Sequence, residues 1–520
     1  MSPSPTQPPR ALRPEHPTSR PLAELAARLG LPAPWDSLEG GTSAAWLTGV
    51  THASAQVRTG DLYAALPGTR THGARFAGQA AAAGARAVLT DPAGLPLAEP
   101  AGLPVLVVDS PRAVLGEVAD WVYGEPTAAL TVLGVTGTSG KTTTCYLLDA
   151  GLAAAGHRTG LIGTVETRVA GEAVKSPLTT PEATDLHAVF AAMRERGVSA
   201  VSMEVSSHAL SLGRVGGVRF AAGAFTNLSQ DHLDFHADME QYFDTKALLF
   251  DGRCGHEVVN LDDRHGRRLV TPATVTVSAA GDPAAAWRAD RVEAVPGGGS
   301  RFVVRGPGGL EVPVAIRLPG AYNVANALLS LAVLATVGVD PAVAAGALAE
   351  VQVPGRMERV DAGQPYLAVV DYAHKPDAVA AALAALRPLT TGRLILVLGC
   401  GGDRDRGKRP MMGEAAARGA DLVVVTDDNP RSEPPGAIRA AMAEGVRRVP
   451  GSHWLDVGDR REAIDAAVRR AEPGDTVLVA GKGHEQGQEV AGVVHPFDDR
   501  VVLREAIEAG RGARGIEGGG

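Results

Sequence analysis

At 520 residues the chain is long enough for about three domains of ~100–200 residues each. Its 45% hydrophobic and 21% charged content is that of a globular protein and excludes a disordered polymer. Fifty Lys and Arg against 58 Asp and Glu leave a net charge of −8, without the basic footprint of a nucleic-acid or anionic-membrane binder. The three cysteines, Cys145, Cys254 and Cys400, stand far apart without metal-ligand spacing. No disulfide framework or structural zinc is expected, and a reducing cytoplasm fits.

Residues 1–20 carry six prolines and no continuous apolar run, which predicts a disordered leader and no signal peptide. From 21 to 128, short apolar runs (Ala87–Leu89, Pro104–Val108) alternate with Ala-rich stretches, predicting a small α/β domain that ends in the linker Gly124–Thr127. A central domain over 129–355 opens with the apolar strand Leu130–Val135, a Gly/Thr/Ser turn and a helix from Lys141 to about Ala155. Further strands predicted at Ala200–Val205 and Ala222–Thr226 imply a largely parallel sheet. The apolar stretch Ala327–Val339 is shorter than the ~20 residues of a membrane span, so no membrane insertion is expected. After Pro354-Gly355 the strand–helix rhythm restarts. Strands predicted at Ala368–Asp371, Leu394–Leu398, Leu422–Val425 and Thr476–Ala480, with a helix at Ala378–Leu386, make 356–510 an open, Rossmann-like parallel sheet. Residues 511–520 read as a disordered tail. The expected fold class is α/β in three domains: a small N-terminal domain, a central phosphate-loop ATPase domain and a C-terminal Rossmann-like domain.

The sharpest local signal is Gly134-Val-Thr-Gly-Thr-Ser-Gly-Lys-Thr142. Amides of Gly137, Thr138, Ser139, Gly140 and Thr143 at a helix N-terminus suit a phosphate, Lys141 can reach it, and Thr142 can ligate Mg²⁺. Val135 stands where the usual Walker pattern has glycine, so this is a variant. The chain has no Asn-Lys-x-Asp guanine-reading segment, which favours ATP over GTP.

Two strand ends bring Met203–His208 and Thr226–His236, in which Glu204 and His232 are candidates for a second Mg²⁺. Asp231, Asp234 and His236 read equally as solvated loop residues. Lys246, in an amphipathic helical stretch, reads by itself as a surface lysine. In the last domain, Leu398–Pro410, Thr426–Ser432 and Gly481–Glu485 each follow a strand. Their mixture of Arg, Asn, Asp and Glu suits a zwitterion such as an amino acid.

These segments, with Thr179-Thr-Pro181, Tyr322–Asn326 and Asp371–Pro376, resemble the Mur ligases, most closely the MurE type, from about Thr51 to Arg500. The resemblance implies an ATP-dependent acid–amino-acid ligase of peptidoglycan precursor synthesis. Such an enzyme adds a third amino acid to UDP-N-acetylmuramoyl-L-alanyl-D-glutamate through an acyl phosphate, with Mg²⁺, as a cytoplasmic monomer. By the same resemblance Lys246 is carbamylated and, with Thr142, Glu204 and His232, holds metal, while Lys141 serves catalysis and Asn326, Asp371 and His374 lie near the nucleotide. Ser54, Thr69, Arg70, Thr71, Thr179, Thr180, Ser206 and Arg214 correspond to contacts with the UDP-linked substrate. Arg404, Asp428, Asn429, Pro430, Arg431, Gly481 and Glu485 correspond to the amino-acid pocket. Asp428-Asn-Pro-Arg431 resembles the version associated with meso-diaminopimelate, whose distal carboxylate an arginine clamps; L-lysine, L-ornithine, or a related folylpolyglutamate- or cyanophycin-type ligase stay open as alternatives. The chain departs from the family at Ala53-Ser-Ala55, where Asp-Ser-Arg is usual, and at Leu212, which replaces a commonly polar contact.

Overall fold

The structure, a computed structural model, describes residues 12–32, 45–174, 178–295 and 298–517. Among the described residues three larger sheets follow one another along the chain, beside two of two strands each. In the first, Gly49–Thr51, Asp61–Ala64, Ala87–Thr90 and Val105–Val107 pair in chain order, all parallel. Helix Pro111–Val122 covers it, with Pro in its first turn and the Ser110 hydroxyl accepting from the Ala113 amide at 3.4 Å as an N-cap.

The second sheet has eleven strands. Thr131–Thr136 lies inside it, between Ala200–Glu204 and Phe220–Phe225 and parallel to both. The register sets Glu204 beside Val135 and Phe225 beside Thr136, so three carboxyl ends stop level with one another. Strands buried on both faces must be apolar throughout. Here Leu133 and Val135 face helices Lys141–Ala154 and Ala321–Thr336, while Val132 packs with Phe190 and Met203 on the other side. Leu133 is fully buried, and truncating such a leucine to alanine costs about 2–5 kcal/mol.

Both edges of this sheet turn antiparallel: Thr159–Ile162, Thr167–Val169 and Glu172–Val174 at one, Trp287–Ala294, Ser300–Gly306 and Leu310–Ile316 at the other. In the last strand Val312, Val314 and Ile316 are buried and Glu311, Pro313 and Ala315 exposed, the period of two of a strand covered on one face.

The third sheet orders Glu358–Arg359, Leu367–Asp371, Thr476–Ala480, Leu394–Cys400, Leu422–Asp427 and Trp454–Asp456, parallel except for the first strand. Register pairs Asp371 and Leu398 with Ala480, and Cys400 with Asp427, so the loops after four strands share one rim.

The termini differ from the sequence expectation. Residues 12–20 fall in the expected disordered leader, yet Arg13 pairs with Asp61 at 2.6 Å, the amides of Glu15 and His16 donate to Glu195, and Arg20–Pro21 pairs with Trp46–Leu47. Those ion-pair and amide partners lie 48 to 180 residues away, where local composition does not reveal them. Residues 1–11 lie outside the described residues. At the other end helix Asp499–Glu517 runs through 511–517, part of the expected tail, because its Ala, Arg and Glu offset the helical cost of glycine. Residues 518–520 lie outside the described residues. The three cysteines are free, and among the described residues no helix is long and apolar enough to cross a membrane.

Candidate active site

Thr131–Thr136 runs into a loop that wraps the start of helix Lys141–Ala154. The loop needs its glycines. Gly137 (φ 141°) and Gly140 (φ 88°) have left-handed backbones, and a Cβ would lie 1.9 Å from Thr226 Oγ1 at the first and 2.5 Å from Asn326 Oδ1 at the second. Asn227 ties the loop down, accepting from Thr138 N through its carbonyl (2.8 Å) and from Ser139 N through Oδ1 (3.0 Å). Thr143 is buried behind it. Lys141 Nζ donates to the carbonyls of Gly137 (2.9 Å) and Thr138 (3.0 Å).

Glu204 stands level with this loop and is 1% exposed. Its carboxylate accepts from Thr142 Oγ1 (2.9 Å), Thr164 N (2.8 Å) and Thr164 Oγ1 (3.0 Å), so a buried charge is satisfied by hydrogen bonds. The web extends outward: Thr164 Oγ1 meets Thr179 Oγ1 at 3.0 Å, Thr180 donates to the Glu204 carbonyl at 2.8 Å, and Ser206 N donates to Thr180 Oγ1 at 3.2 Å. Arg214 donates to the Thr180 carbonyl (3.3 Å) and pairs with Glu182 (2.8 Å). Thr179, Thr180, Ser206 and Arg214 are thus brought together beside the phosphate loop.

Lys246 contradicts its bland sequence reading, since it is 1% exposed. Helix Met239–Ala247 points it at the loop, where Nζ donates to Gly137 O (2.8 Å) and lies 4.6 Å from the Tyr242 ring centre. Burial, reinforced by Lys141 and Lys375, pushes its pKa well below the usual lysine value. His232 has a left-handed backbone (φ 53°) and pairs with Asp231 (3.0 Å), which in turn meets Lys375 at 2.5 Å. His236, left open as a solvated residue, is buried, with Nε2 3.1 Å from Ser207 Oγ; Asp234 is exposed. Among the described residues no three His, Cys, Asp or Glu side chains gather as a metal cluster. Thr142 and Glu204 are adjacent hard oxygen donors suited to Mg²⁺, whereas Lys246 becomes an oxygen donor only on gaining a carboxylate.

The third sheet faces this loop. Arg356, just past the Pro354-Gly355 boundary, donates to Thr142 Oγ1 at 3.4 Å and covers the Tyr372 ring at 4.3 Å. Asp371 accepts from Met357 N (2.7 Å) and Ala373 N (2.8 Å), and His374 Nδ1 lies 2.7 Å from the Tyr372 carbonyl. Asn326 abuts Gly140 of the phosphate loop.

On the shared rim, Asn429 Nδ2 donates to Glu485 Oε2 (2.9 Å), and a Cβ at Gly481 would lie 2.7 Å from Asp428 Oδ2. Arg431 donates to the Gly402 carbonyl (2.6 Å), and the Pro430 carbonyl lies against Gly402. Arg404 adjoins Gly401, as Arg431 does. Six of the seven expected pocket residues are thus linked by contacts along the rim, and Arg404 is exposed beside Gly401. Sequence reasoning missed Lys482, fully buried, whose ammonium binds Asn429 Oδ1 (2.9 Å) and Glu485 Oε2 (3.1 Å) and lies 3.7 Å from Asp428. A lysine directly after an apolar strand and between two glycines was the available signal. Arg356 was missed for want of any local pattern, and Lys375 was passed over although it lies within Asp371–Pro376.

Ser54 and Thr69–Thr71 follow neighbouring strands of the first sheet. Ser54 donates to Gln79 at 3.0 Å, while Thr69, Arg70 and Thr71 are exposed.

The Mur ligase family catalytic domain matches residues 47–123, the Mur ligase middle domain 135–334, and the Mur ligase glutamate ligase domain 355–483. The chain is 58% identical over 510 residues to the UDP-N-acetylmuramoyl-L-alanyl-D-glutamate--2,6-diaminopimelate ligase of Streptomyces coelicolor, covering 96% of this chain and 99% of that one. The ligase of the same name from Streptomyces avermitilis is 57% identical over 508 residues, covering 96% and 99%. A solved structure of a ligase of that name superposes with a TM-score of 0.64 at 33% identity, covering 89% of this chain and 95% of the other. With its phosphate loop, facing third sheet and these likenesses along nearly its whole length, the chain belongs to the Mur ligase family.

Proposed function

We propose that this chain is an ATP-dependent ligase that joins meso-diaminopimelate to the D-glutamyl carboxylate of UDP-N-acetylmuramoyl-L-alanyl-D-glutamate in peptidoglycan precursor synthesis. The observation that supports the reading is the approach of Arg356, at the start of the last domain, to Thr142 of the phosphate loop. The relatives named for this reaction match 96% of the chain.

A carboxylate is a poor electrophile, and transfer of the γ-phosphoryl group of ATP to it provides a leaving group. The incoming amine then attacks the acyl phosphate, a tetrahedral intermediate expels phosphate, and the amide nitrogen loses a proton. In this chain the loop Gly137–Thr143, through the amides that Asn227 leaves free, and Lys141 bind and orient the phosphates. Thr179, Thr180, Ser206 and Arg214 hold the acceptor peptide, with Ser54 and Thr69–Thr71 toward its uridine end. Asn326, Asp371 and His374 border the nucleotide. Asp428, Asn429, Arg431 and Glu485 orient the amino acid, with Arg404, Pro430 and Gly481 shaping the pocket. Thr142, Glu204, His232 and carbamylated Lys246 would hold Mg²⁺, which when bound offsets charge on the transferring phosphoryl group. Lys246 reaches that state when its neutral amine adds to CO₂ and releases a proton. We place the protein in the cytoplasm as a monomer, divided near residues 128 and 355.

The test is phosphate release with ATP, Mg²⁺ and the UDP-linked dipeptide, with meso-diaminopimelate, L-lysine and L-ornithine in parallel and product mass checked. Turnover with diaminopimelate alone supports the reading. Preference for lysine or ornithine removes its last part, and no turnover with any of them removes the whole.

A further inference from the structure

Residues 12–20 bridge the first sheet and the central domain, and none of them has been given a part in the reaction. The chain itself passes between those two bodies at Gly124–Thr127. There Gly124 has a left-handed backbone (φ 78°), and a Cβ on it would lie 2.9 Å from Thr18 Oγ1, so the segment packs closely on the linker. On the side of the first sheet, Arg13 Nη1 pairs with Asp61 Oδ1 at 2.6 Å, the two side chains being 8% and 1% exposed. On the side of the central domain, the amides of Glu15 and His16 each donate to the Glu195 carboxylate at 2.7 Å, at the end of helix Ala183–Glu195. A guanidinium buried to the depth of Arg13 is tolerated only when a partner is fixed for it, so this anchor is built rather than incidental.

Both anchors lead to the segments assigned above to the UDP-linked substrate. Asp61 pairs in register with Gly49, and strand Gly49–Thr51 runs directly into His52 and Ser54. At about 3.3 Å per residue that three-residue strand is about 10 Å long, short enough to carry a shift at the Gly49–Asp61 pair to Ser54. His52 Nδ1 lies 3.1 Å from Thr184 Oγ1, in the first turn of helix Ala183–Glu195, which starts just after Thr179-Thr-Pro181. Asp185, the next residue, feels Arg13 from one body and His52 beside it: burial raises its pKa, and these two side chains oppose the rise. In the proposed reaction one acceptor molecule spans Ser54 and Thr180. Two ends of a ligand held by separate bodies reinforce each other only when the distance between the bodies fits the ligand, and a looser junction weakens the joint contact.

From this we infer that residues 12–20 are a strap that fixes the span of the acceptor site, with Arg13 as its positioning residue, acting through Asp61 and helix Ala183–Glu195. The inference rests on the ligase reading above. The experiment is steady-state kinetics of the full-length wild type, Arg13→Ala, Arg13→Lys and Glu195→Ala, varying each of the three substrates in turn, with melting temperatures alongside. For Arg13→Ala the expected result is a KM for the UDP-linked dipeptide about tenfold higher, with kcat and the KM for ATP and for the amino acid within about twofold. Arg13→Lys should recover part of that loss, and Glu195→Ala, at the opposite anchor, should raise the same KM. An unchanged KM for the UDP-linked dipeptide in a folded Arg13→Ala, or an equal rise in all three KM values, overturns the strap while leaving the ligase reading intact. Should Arg13→Ala fail to fold, Glu195→Ala decides, since its carboxylate is 25% exposed and its loss must still raise that KM selectively. A wild-type enzyme that does not turn over the UDP-linked dipeptide overturns the parent reading instead.

Discussion

Lys246 Nζ donates to the carbonyl of Gly137, the same carbonyl that takes Lys141 Nζ, so two lysines converge on one oxygen of the phosphate loop. Burial penalises the Lys246 ammonium and the nearby Lys141 ammonium repels it, so its pKa is held well below the usual lysine value and the neutral amine is easier to reach. A neutral, buried amine is the species that captures CO₂. Lys246→Ala is expected to lose at least about a hundredfold in turnover, and short carboxylates such as acetate or formate should restore part of it. Turnover like that of the wild type, checked by phosphate release, would remove the carbamate.

Arg431 presents its guanidinium beside Gly402 and Glu489 on the rim. A lost charge-assisted pair costs about 1.5–3 kcal/mol, so Arg431→Ala should reduce kcat/KM for diaminopimelate about 10- to 100-fold. Lysine has no distal carboxylate and should lose much less. Competition assays with both amino acids measure the difference, and an equal loss for the two counts against the clamp.

The phosphate loop, the parallel strands around it and the three converging loops of the last sheet were legible because each is a local pattern: an apolar run, then glycine and polar residues. The antiparallel edge Trp287–Ile316 was legible in principle from the alternation in Leu310–Ile316, but charged residues such as Arg288, Asp290 and Arg305 mask its apolar face. Lys246 was not legible by itself, because a lysine in an amphipathic helix carries no sign of what packs over it. Arg13 was hidden for the same reason: its partner Asp61 is 48 residues away, and proline content gave the opposite impression.

His484 is half-buried, with Arg356 Nη1 3.4 Å from its Nδ1, and burial followed by that guanidinium lowers its pKa from 6.5 to about 4. The unfolded chain therefore takes up a proton near pH 6.5 that the folded chain refuses until about pH 4. Unfolded chains bind more protons in that window, so this group subtracts stability as pH falls through it and has no such effect above it. His484→Asn should therefore lose less melting temperature than the wild type between pH 7.5 and pH 5, by about a few degrees. Parallel melting curves would count against this origin of the acid sensitivity.

Arg460 and Asp499 are both fully buried, joined by Nε to Oδ1 (2.8 Å) and Nη2 to Oδ2 (2.7 Å). Arg460 also donates to the Ala480 carbonyl at 2.9 Å, at the strand end that leads into Gly481 and Lys482. This pair fastens the first residue of helix Asp499–Glu517 beneath the amino-acid rim. Removing one partner of a buried pair leaves the other charge uncompensated, at about 3–5 kcal/mol, whereas removing both leaves only a packing defect. Arg460→Met is thus expected to shift the urea midpoint strongly, and the double change Arg460→Met with Asp499→Leu to recover much of the loss. Since the pair also holds the strand end before Gly481, the single variant should raise KM for the amino acid more than KM for ATP. A single variant as stable as the wild type would mean that water reaches Asp499 and that the pair contributes little to docking this helix.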